Sequence, residues 1–222
     1  MALLKSSLLV EAGFDHGFGT RETLTHEVPD ALYTVGQVHG DRIITLQDPL
    51  PKEKYRFTEG DALLTRISGV FIGIRTADCL PVLIADPVTG AVAAVHCGWR
   101  SLAKGLAGKA VRAFESFTRS DPRGYLAAFG PAIGPCCYEV GEDVRDAFMK
   151  IPGCDLTTEH RDDTIYASLK DAAAIQLKSE GLTEKNLDIL DYCTSCRSDL
   201  LYSWRGEKTD KRMTSFIGPK VI

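Results

Sequence analysis

No apolar run in this 222-residue chain approaches the roughly 20 residues of a membrane-spanning helix, so a helical membrane protein is excluded as a reading. Charge of one sign is not in excess either. The 26 lysines and arginines stand against 30 acidic residues, and a formal net charge of −4 gives no global field for nucleic acid or anionic lipid. An anionic substrate must therefore be held by local groups. Internal repeats and low-complexity tracts are lacking, and so is an even cysteine framework. There are seven cysteines, and Cys136 and Cys137 are adjacent, which suits reduced thiols better than a secreted disulfide scaffold. The opening MALLKSSLLVEAGFD is interrupted by Lys5, Ser6 and Ser7 and closed by Glu11 without a small-residue cleavage site. It is read as a first strand, and the chain as a cytoplasmic protein.

What is present is sheet first and helix later. Short β-like runs fill the first half: 31–38, 42–46, 61–65, 70–76, 81–86 and 91–96. From Ser101 the period changes, with Leu102, Leu106, Ala110, Ala113, Phe114 and Phe117 at helical spacing and Asp121-Pro122 and Gly124 as the stop. A strand over 125–129 leads into the loop GPAIGPCCYEVG. Helices follow over 143–150 and 168–180, the second opened by Ser168 with Asp171 in capping-box spacing and closed by Gly181. Strands are expected over 187–192 and in TSFIG, and 48–60 reads as a surface loop. The pattern predicts an α+β class over one domain, residues 1–222, with a mixed or antiparallel sheet and flanking helices.

The stretch TADCLPVLIADPVTGAVAAVHCGWR carries the chemistry. Asp86-Pro87-Val88-Thr89-Gly90 suits a four-residue hairpin loop that pairs Asp86 with Ala91. Counting outward, Cys79 lies opposite Gly98 and His96 opposite Pro81, so thiol and imidazole share one face on a diagonal of about 7 to 8 Å. A two-residue loop keeps them on one face too, whereas a three- or five-residue loop separates them. Cys97 points the other way. A sulfur and a nitrogen so placed can share a tetrahedral ion with bonds of about 2.0 to 2.3 Å, and His39 in GQVHGD is the best third donor. The alternative is a buried thiol beside a satisfied histidine, and spacing alone leaves both open.

The ordered set QVHG, TADCLPVLIADP, AVHCGWR, GPAIGPCCYEVG, DYCTSC and YSWR before RMTSFIG resembles the laccase-domain family, whose members carry the names polyphenol oxidase and purine nucleoside phosphorylase. The resemblance runs from about Gly13 to the C-terminus. It implies a compact sandwich-like fold and a metal site, usually zinc, on His39, Cys79 and His96. It also implies phosphorolysis of adenosine, inosine, guanosine and methylthioadenosine, adenosine deamination, and an older claim of phenol oxidation. The partners implied are a purine nucleoside and phosphate, with no nucleic-acid polymer and no membrane. The chain departs from the family between Glu22 and Asp30, where a glycine-rich turn and an asparagine-leucine element are shortened, and at Cys97, Ser101 and Lys211.

Three protein donors leave a fourth position open, as in catalytic rather than structural zinc. Base deaminases built on zinc carry H-x-E, yet here Cys97-Gly98 follows the histidine, so another residue must shuttle protons. Gly98-Trp99-Arg100-Ser101 opens a helix and offers backbone N–H groups and a guanidinium to phosphate, with Arg100 as the leading candidate and Ser101 beside it. Arg205, Lys211 and Arg212 are expected to border the substrate and Lys208 to be solvated; Asp78 is expected to be a structural carboxylate or a partner of a metal ligand, facing away from the metal unless a bulge before Pro81 turns it inward. Trp99 reads as packing. The CxxC of Cys193 and Cys196 lacks a second pair of similar spacing, and Cys136-Cys137 is a poor substitute, so a metal or redox site there is the minor reading and the role of both pairs stays open in the sequence. Two rival activities are a copper oxidase, since His2Cys also binds copper, and a cysteine hydrolase with Cys79 as nucleophile and His96 as base. Five histidines are too few for a trinuclear copper cluster.

Overall fold

The computed structural model describes residues 2–48, 51–154 and 157–220. From the N-terminus these form β1 (Leu3–Leu4), α1 (Ser7–Glu11), β2 (His16–Gly19), β3 (Leu32–Tyr33), β4 (Ile43–Leu46) and α2 (Lys52–Arg56). Next come β5 (Ala62–Thr65), β6 (Phe71–Thr76), β7 (Leu80–Ala85), β8 (Val92–Cys97), α3 (Trp99–Ala103) and α4 (Leu106–Thr118). The remainder is β9 (Leu126–Phe129), β10 (Glu139–Val140), α5 (Glu142–Met149), β11 (Thr158–Arg161), β12 (Thr164–Ala167), α6 (Leu169–Ser179), β13 (Leu187–Ile189), α7 (Trp204–Glu207) and β14 (Met213–Ile217).

Among the described residues the strands build three sheets, ordered β1-β2-β14-β6-β3, β13-β9-β7-β8-β5-β4 and β10-β12-β11. The two larger sheets are mixed: β4 runs parallel to β5, β13 to β9 and β3 to β6, and the other pairs are antiparallel. The six-stranded sheet is buried on both faces, which is why β7 and β8 read as unbroken apolar runs rather than alternating ones. Parity along each strand decides which core a side chain joins. Val82, Ile84, Ala93 and Val95 pack with Leu106, Ala110, Phe114 and Ala172 of the helical layer. Leu83, Ala85, Val92 and Ala94 pack with Phe18, Ile72, Ile74 and Ile217 of the five-stranded sheet. The α+β, sandwich-like core with flanking helices is thus the architecture observed.

Several element expectations are corrected. The opening is a two-residue strand and then a helix, because the Ser6 hydroxyl accepts the Leu9 N–H and starts the helix that buries Leu9. Of 31–38 only Leu32–Tyr33 joins a sheet as a strand. Beyond it the Gly36 backbone bonds to Thr58 and Gly60, while the Gln37 amide accepts from the Arg75 N–H and donates to the Arg75 carbonyl. The 48–60 stretch holds α2, and its residues Pro49 and Leu50 lie outside the described residues. The sheet that includes β11 and β12 went unread because Thr158–Arg161 is polar and largely exposed. The helix expected from Ser101 starts at Trp99 and is broken into α3 and α4 at Gly105, whose φ of +75° is left-handed.

A Cβ on Gly105 would meet open space, so only the backbone conformation penalises a side chain there. Gly105→Ala is expected to lower unfolding stability by about 1–2 kcal/mol. Urea denaturation checks this, and a change below about 0.5 kcal/mol, the range of an inert surface substitution, would contradict it.

Candidate metal centre

The hairpin forms with the register read from the sequence. The Asp86 N–H donates to the Ala91 carbonyl at 3.0 Å and the Gly90 N–H to the Asp86 carbonyl at 2.9 Å. The Asp86 carboxylate fixes the turn by accepting from the Val88 N–H at 2.9 Å and the Thr89 hydroxyl at 2.5 Å. Pro81 faces His96 and Leu80 faces Cys97. His96 thus shares the parity of Ala94 and Val92, at the end of the inter-sheet face, while Cys97 falls in the helical core. Cys79 sits just before β7 on the His96 side.

The residue that organises this end of the sheet was missed in the sequence. β5 pairs with β8 so that Ala62 faces Val95, which sets Asp61 against His96. The His96 N–H donates to the Asp61 carbonyl at 2.7 Å, and His96 Nδ1 lies 2.8 Å from Asp61 Oδ1. Nδ1 therefore carries the proton toward the carboxylate and Nε2 is left for Cys79. The same fully buried carboxylate accepts the backbone N–H groups of Val38, His39 and Gly40 at 3.3, 3.0 and 2.6 Å. That nest holds His39 at a φ of +56°, and its Nε2 comes within 3.7 Å of Cys79 Sγ. Donor atoms of His39, Cys79 and His96 all lie within 4.8 Å of one another. Gly98 is required here, since a Cβ would stand 2.9 Å from His39 Cδ2 and 3.2 Å from Cys79 Sγ.

In the metal-free protein the electrostatics favour a Cys79 thiolate beside a protonated His96, and a metal ion would take the place of the proton on His96 Nε2. Burial opposes ionisation of the Cys79 thiol, but contacts with His39 and His96 outweigh it and bring the thiol down to about 6. Burial likewise disfavours the His96 cation, and Asp61 and Cys79 more than offset it, raising the imidazole to about 9. Asp61 stays below the ordinary carboxylate range despite burial, held by His96 and the amides of Gly40 and Val38. Cys97 is the contrast: buried among apolar groups, its thiol is pushed up and stays inert. A tetrahedral zinc has a sulfur–nitrogen edge of about 3.5 Å, close to the His39–Cys79 separation, so these residues fit a metal.

A cavity of about 510 Å³ opens over the three donors. Arg100, Arg205 and Arg212 line it, together with Arg75, Trp204 and Tyr138, which the sequence did not single out. Trp99 packs partly against the helical core and also lines the cavity, under the Arg100 guanidinium at 4.4 Å. Ser101, expected at the substrate, is corrected: it is fully buried and does not line the cavity, because the next helical position turns about 100° away from Arg100. Lys208 is exposed and outside the lining, and so is Lys211, whose ammonium sits over the Tyr202 ring instead of bordering the pocket. Asp78 lines the cavity at a φ of +88°, yet both oxygens are engaged, by the Thr194 hydroxyl and the Arg205 N–H, each at 2.6 Å. Its expected direction away from the metal is corrected, because the positive φ takes Asp78 out of strand geometry and turns it toward the cavity, where both oxygens are held by the protein. Cys136-Cys137, a poor partner for the CxxC by spacing, does meet it in space: the sulfurs of Cys136, Cys137, Cys193 and Cys196 converge within 4.8 Å.

The thiol near 6 predicts a reactivity profile for metal-stripped protein. Because the thiolate is the nucleophile, iodoacetamide labelling of Cys79 is expected to accelerate as pH rises through about 6 and to level off above it. His96→Asn removes a stabilising partner, so the midpoint moves up toward the ordinary thiol value of about 8.5. Peptide mapping of labelled Cys79 follows the rate; an ordinary thiol midpoint in the unsubstituted protein would contradict the geometry.

A family profile described as multi-copper polyphenol oxidoreductase laccase matches residues 20–220. Purine nucleoside phosphorylase YlmD of Geobacillus stearothermophilus is 36% identical over 162 residues, 71% of this chain and 59% of that protein. Purine nucleoside phosphorylase YfiH of Escherichia coli (strain K12) is 35% identical over 191 residues, 86% of this chain and 74% of its own length. A purine nucleoside phosphorylase of Aquifex aeolicus is 32% identical over 192 residues, 85% of this chain and 82% of its own. The crystal structure of Geobacillus stearothermophilus YlmD superposes with a TM-score of 0.87 at 26% identity, covering 100% of this chain and 97% of that one. That of Bacillus licheniformis hypothetical protein YfiH gives 0.85 at 26% identity and 93% of both chains. With the profile spanning 20–220 and relatives above 30% identity sharing most of their length, the chain belongs to the multi-copper polyphenol oxidoreductase laccase family.

Proposed function

We propose that this protein is a zinc-dependent purine nucleoside phosphorylase acting on adenosine, inosine, guanosine and methylthioadenosine, with His39, Cys79 and His96 as the metal ligands. The observation that carries the reading is the cavity: Arg75, Arg100, Arg205 and Arg212 surround a thiolate-imidazole floor in a chain whose net charge is −4. Local positive charge of that density suits an inorganic anion beside a neutral nucleoside. The volume of about 510 Å³ accommodates both. The names borne by the YlmD and YfiH relatives support the same reaction.

Phosphorolysis needs an oxyanion beneath the ribose carbon as the N-glycosidic bond loosens, and a flat surface for the leaving purine. Arg100 is assigned the phosphate, its guanidinium set against the Trp99 ring; α3 has five residues, so the guanidinium rather than a helix dipole carries the attraction. Arg205 is steadied by its bond to the Glu139 carbonyl at 2.6 Å and lies over Tyr138. Trp204, 47% exposed on the rim, offers a stacking face for the base. His39, Cys79 and His96 would hold the zinc, which would supply Lewis-acid polarisation at the reacting group. Asp61 keeps His96 in the tautomer that presents Nε2. Adenosine deamination is proposed as a minor activity, because Asp78 is the one acid among the lining residues and its oxygens are committed. Phenol oxidation is expected only with copper loaded.

A second reading has one observation in its favour. Asp61, His96 and Cys79 stand in the order of an acid, a base and a nucleophile, which is the arrangement of a cysteine hydrolase. His39 closing on the same sulfur favours the metal instead.

Chelator-treated and zinc-reconstituted protein is incubated with adenosine and phosphate and the products weighed. Zinc-dependent adenine and ribose 1-phosphate are the expected products, with inosine a minority. Arg100→Ala is expected to raise the phosphate KM about 10- to 100-fold, the loss of one charge-assisted hydrogen bond. Ester or amide hydrolysis by metal-free protein, abolished by alkylating Cys79, would establish the hydrolase in its place.

A further inference from the structure

We propose that Cys136, Cys137, Cys193 and Cys196 bind a second, structural zinc ion that clips the loop after β9 to the loop after β13. These cysteines share no residue with the three-donor centre. Their sulfurs are mutually within 4.8 Å, and Cys196 Sγ lies 3.5 Å from Cys136 Sγ and 3.4 Å from Cys137 Sγ. Four thiolates around zinc, with bonds of about 2.3 Å, are separated by tetrahedral edges of about 3.8 Å. The cluster therefore needs only small adjustments to close on an ion.

The local backbone explains how an adjacent Cys-Cys pair can serve. In a strand, successive side chains diverge, but residues 135–137 form a turn in which the N–H groups of Cys137 and Tyr138 both donate to the Gly134 carbonyl at 2.9 Å. Both thiols then face the CxxC. Gly134 leaves them room, since a Cβ there would stand 3.2 Å from Cys136 Sγ and 3.3 Å from Cys193 Cβ. Its N–H donates to Cys193 Sγ at 3.3 Å. That hydrogen bond sets the Cys193 sulfur toward the other three. A divalent cation would compensate four clustered thiolates.

The clip has a structural consequence. Ala132 and Cys193 form a parallel bridge, and the Thr194 N–H donates to the Ala132 carbonyl at 3.0 Å. Thr194, between the two CxxC cysteines, donates its hydroxyl to Asp78, whose carbonyl accepts the Ile133 N–H at 2.9 Å. Ile133, Tyr138 and Arg205 form one wall of the cavity. The ion thus fixes that wall through Asp78, next to Cys79, without touching substrate.

The test is zinc stoichiometry by plasma mass spectrometry on full-length protein purified with reductant and without chelator. Two zinc ions per chain are expected. Cys193→Ser/Cys196→Ser and, separately, Cys79→Ser are each expected to retain one. To keep the test independent of the double variant's folding, unsubstituted protein is also titrated with an organomercurial while released zinc is recorded. Two zinc equivalents are expected, one leaving with the thiols of the four-cysteine cluster. One zinc per chain, with Cys136 and Cys196 alkylated as fast as free cysteine in the presence of zinc, would overturn the proposal. So would disulfides among these four in the purified protein. Neither readout involves nucleoside turnover, so failure of the phosphorylase reading leaves this result interpretable.

Discussion

The buried carboxylate of Asp61 is the constraint on which the centre depends. It collects the three backbone N–H groups of Val38, His39 and Gly40 and the Nδ1 of His96, joining a loop before β4 to the end of β8. An ionised carboxylate with no exposure is costly unless it is paired and hydrogen-bonded, and here the pairing does both tasks. It sets the His96 tautomer, and it holds His39 in a left-handed conformation that a non-glycine residue otherwise avoids. Asp78, also left-handed, turns the chain into Cys79. One strained residue is itself a donor, His39, and the other, Asp78, precedes a second donor; the strain is offset by hydrogen bonds to the carboxylates of Asp61 and Asp78.

Around that point the fold supplies what the chemistry needs. The six-stranded sheet is clamped between two apolar layers, so the ends of β5, β7 and β8 keep their register and present Asp61, Cys79 and His96 together. The cavity mouth is built from loops instead, carrying Arg205, Arg212 and Trp204. Rigid strands position the donors, and irregular segments determine which molecule reaches them.

How much of this was legible in the sequence follows from the range of the interactions. The hairpin register, and with it the shared face of Cys79 and His96, is a local matter of loop length and was readable. Arg100, next to that hairpin, was readable for the same reason, whereas Ser101 at the same helix start faces the core, because which side of a short helix meets the cavity depends on how α3 packs and not on the motif. Asp61 was hidden by topology: both β5 and β8 were visible as apolar runs, but their pairing was not, and a single acid opening the run DALLT was the available signal. The four-cysteine cluster depends on a turn at 135–137 that brings neighbouring side chains to one side, a reversal of strand parity that spacing rules do not anticipate.

The claim that unites these observations is that His39, Cys79 and His96 grip one ion. Anomalous diffraction at the zinc edge, from crystals of the zinc-loaded protein, tests it most directly. The account predicts a peak about 2.0–2.3 Å from Cys79 Sγ and from Nε2 of both histidines. A map with no peak at this position, and His39 turned away from the Cys79 sulfur, would contradict it.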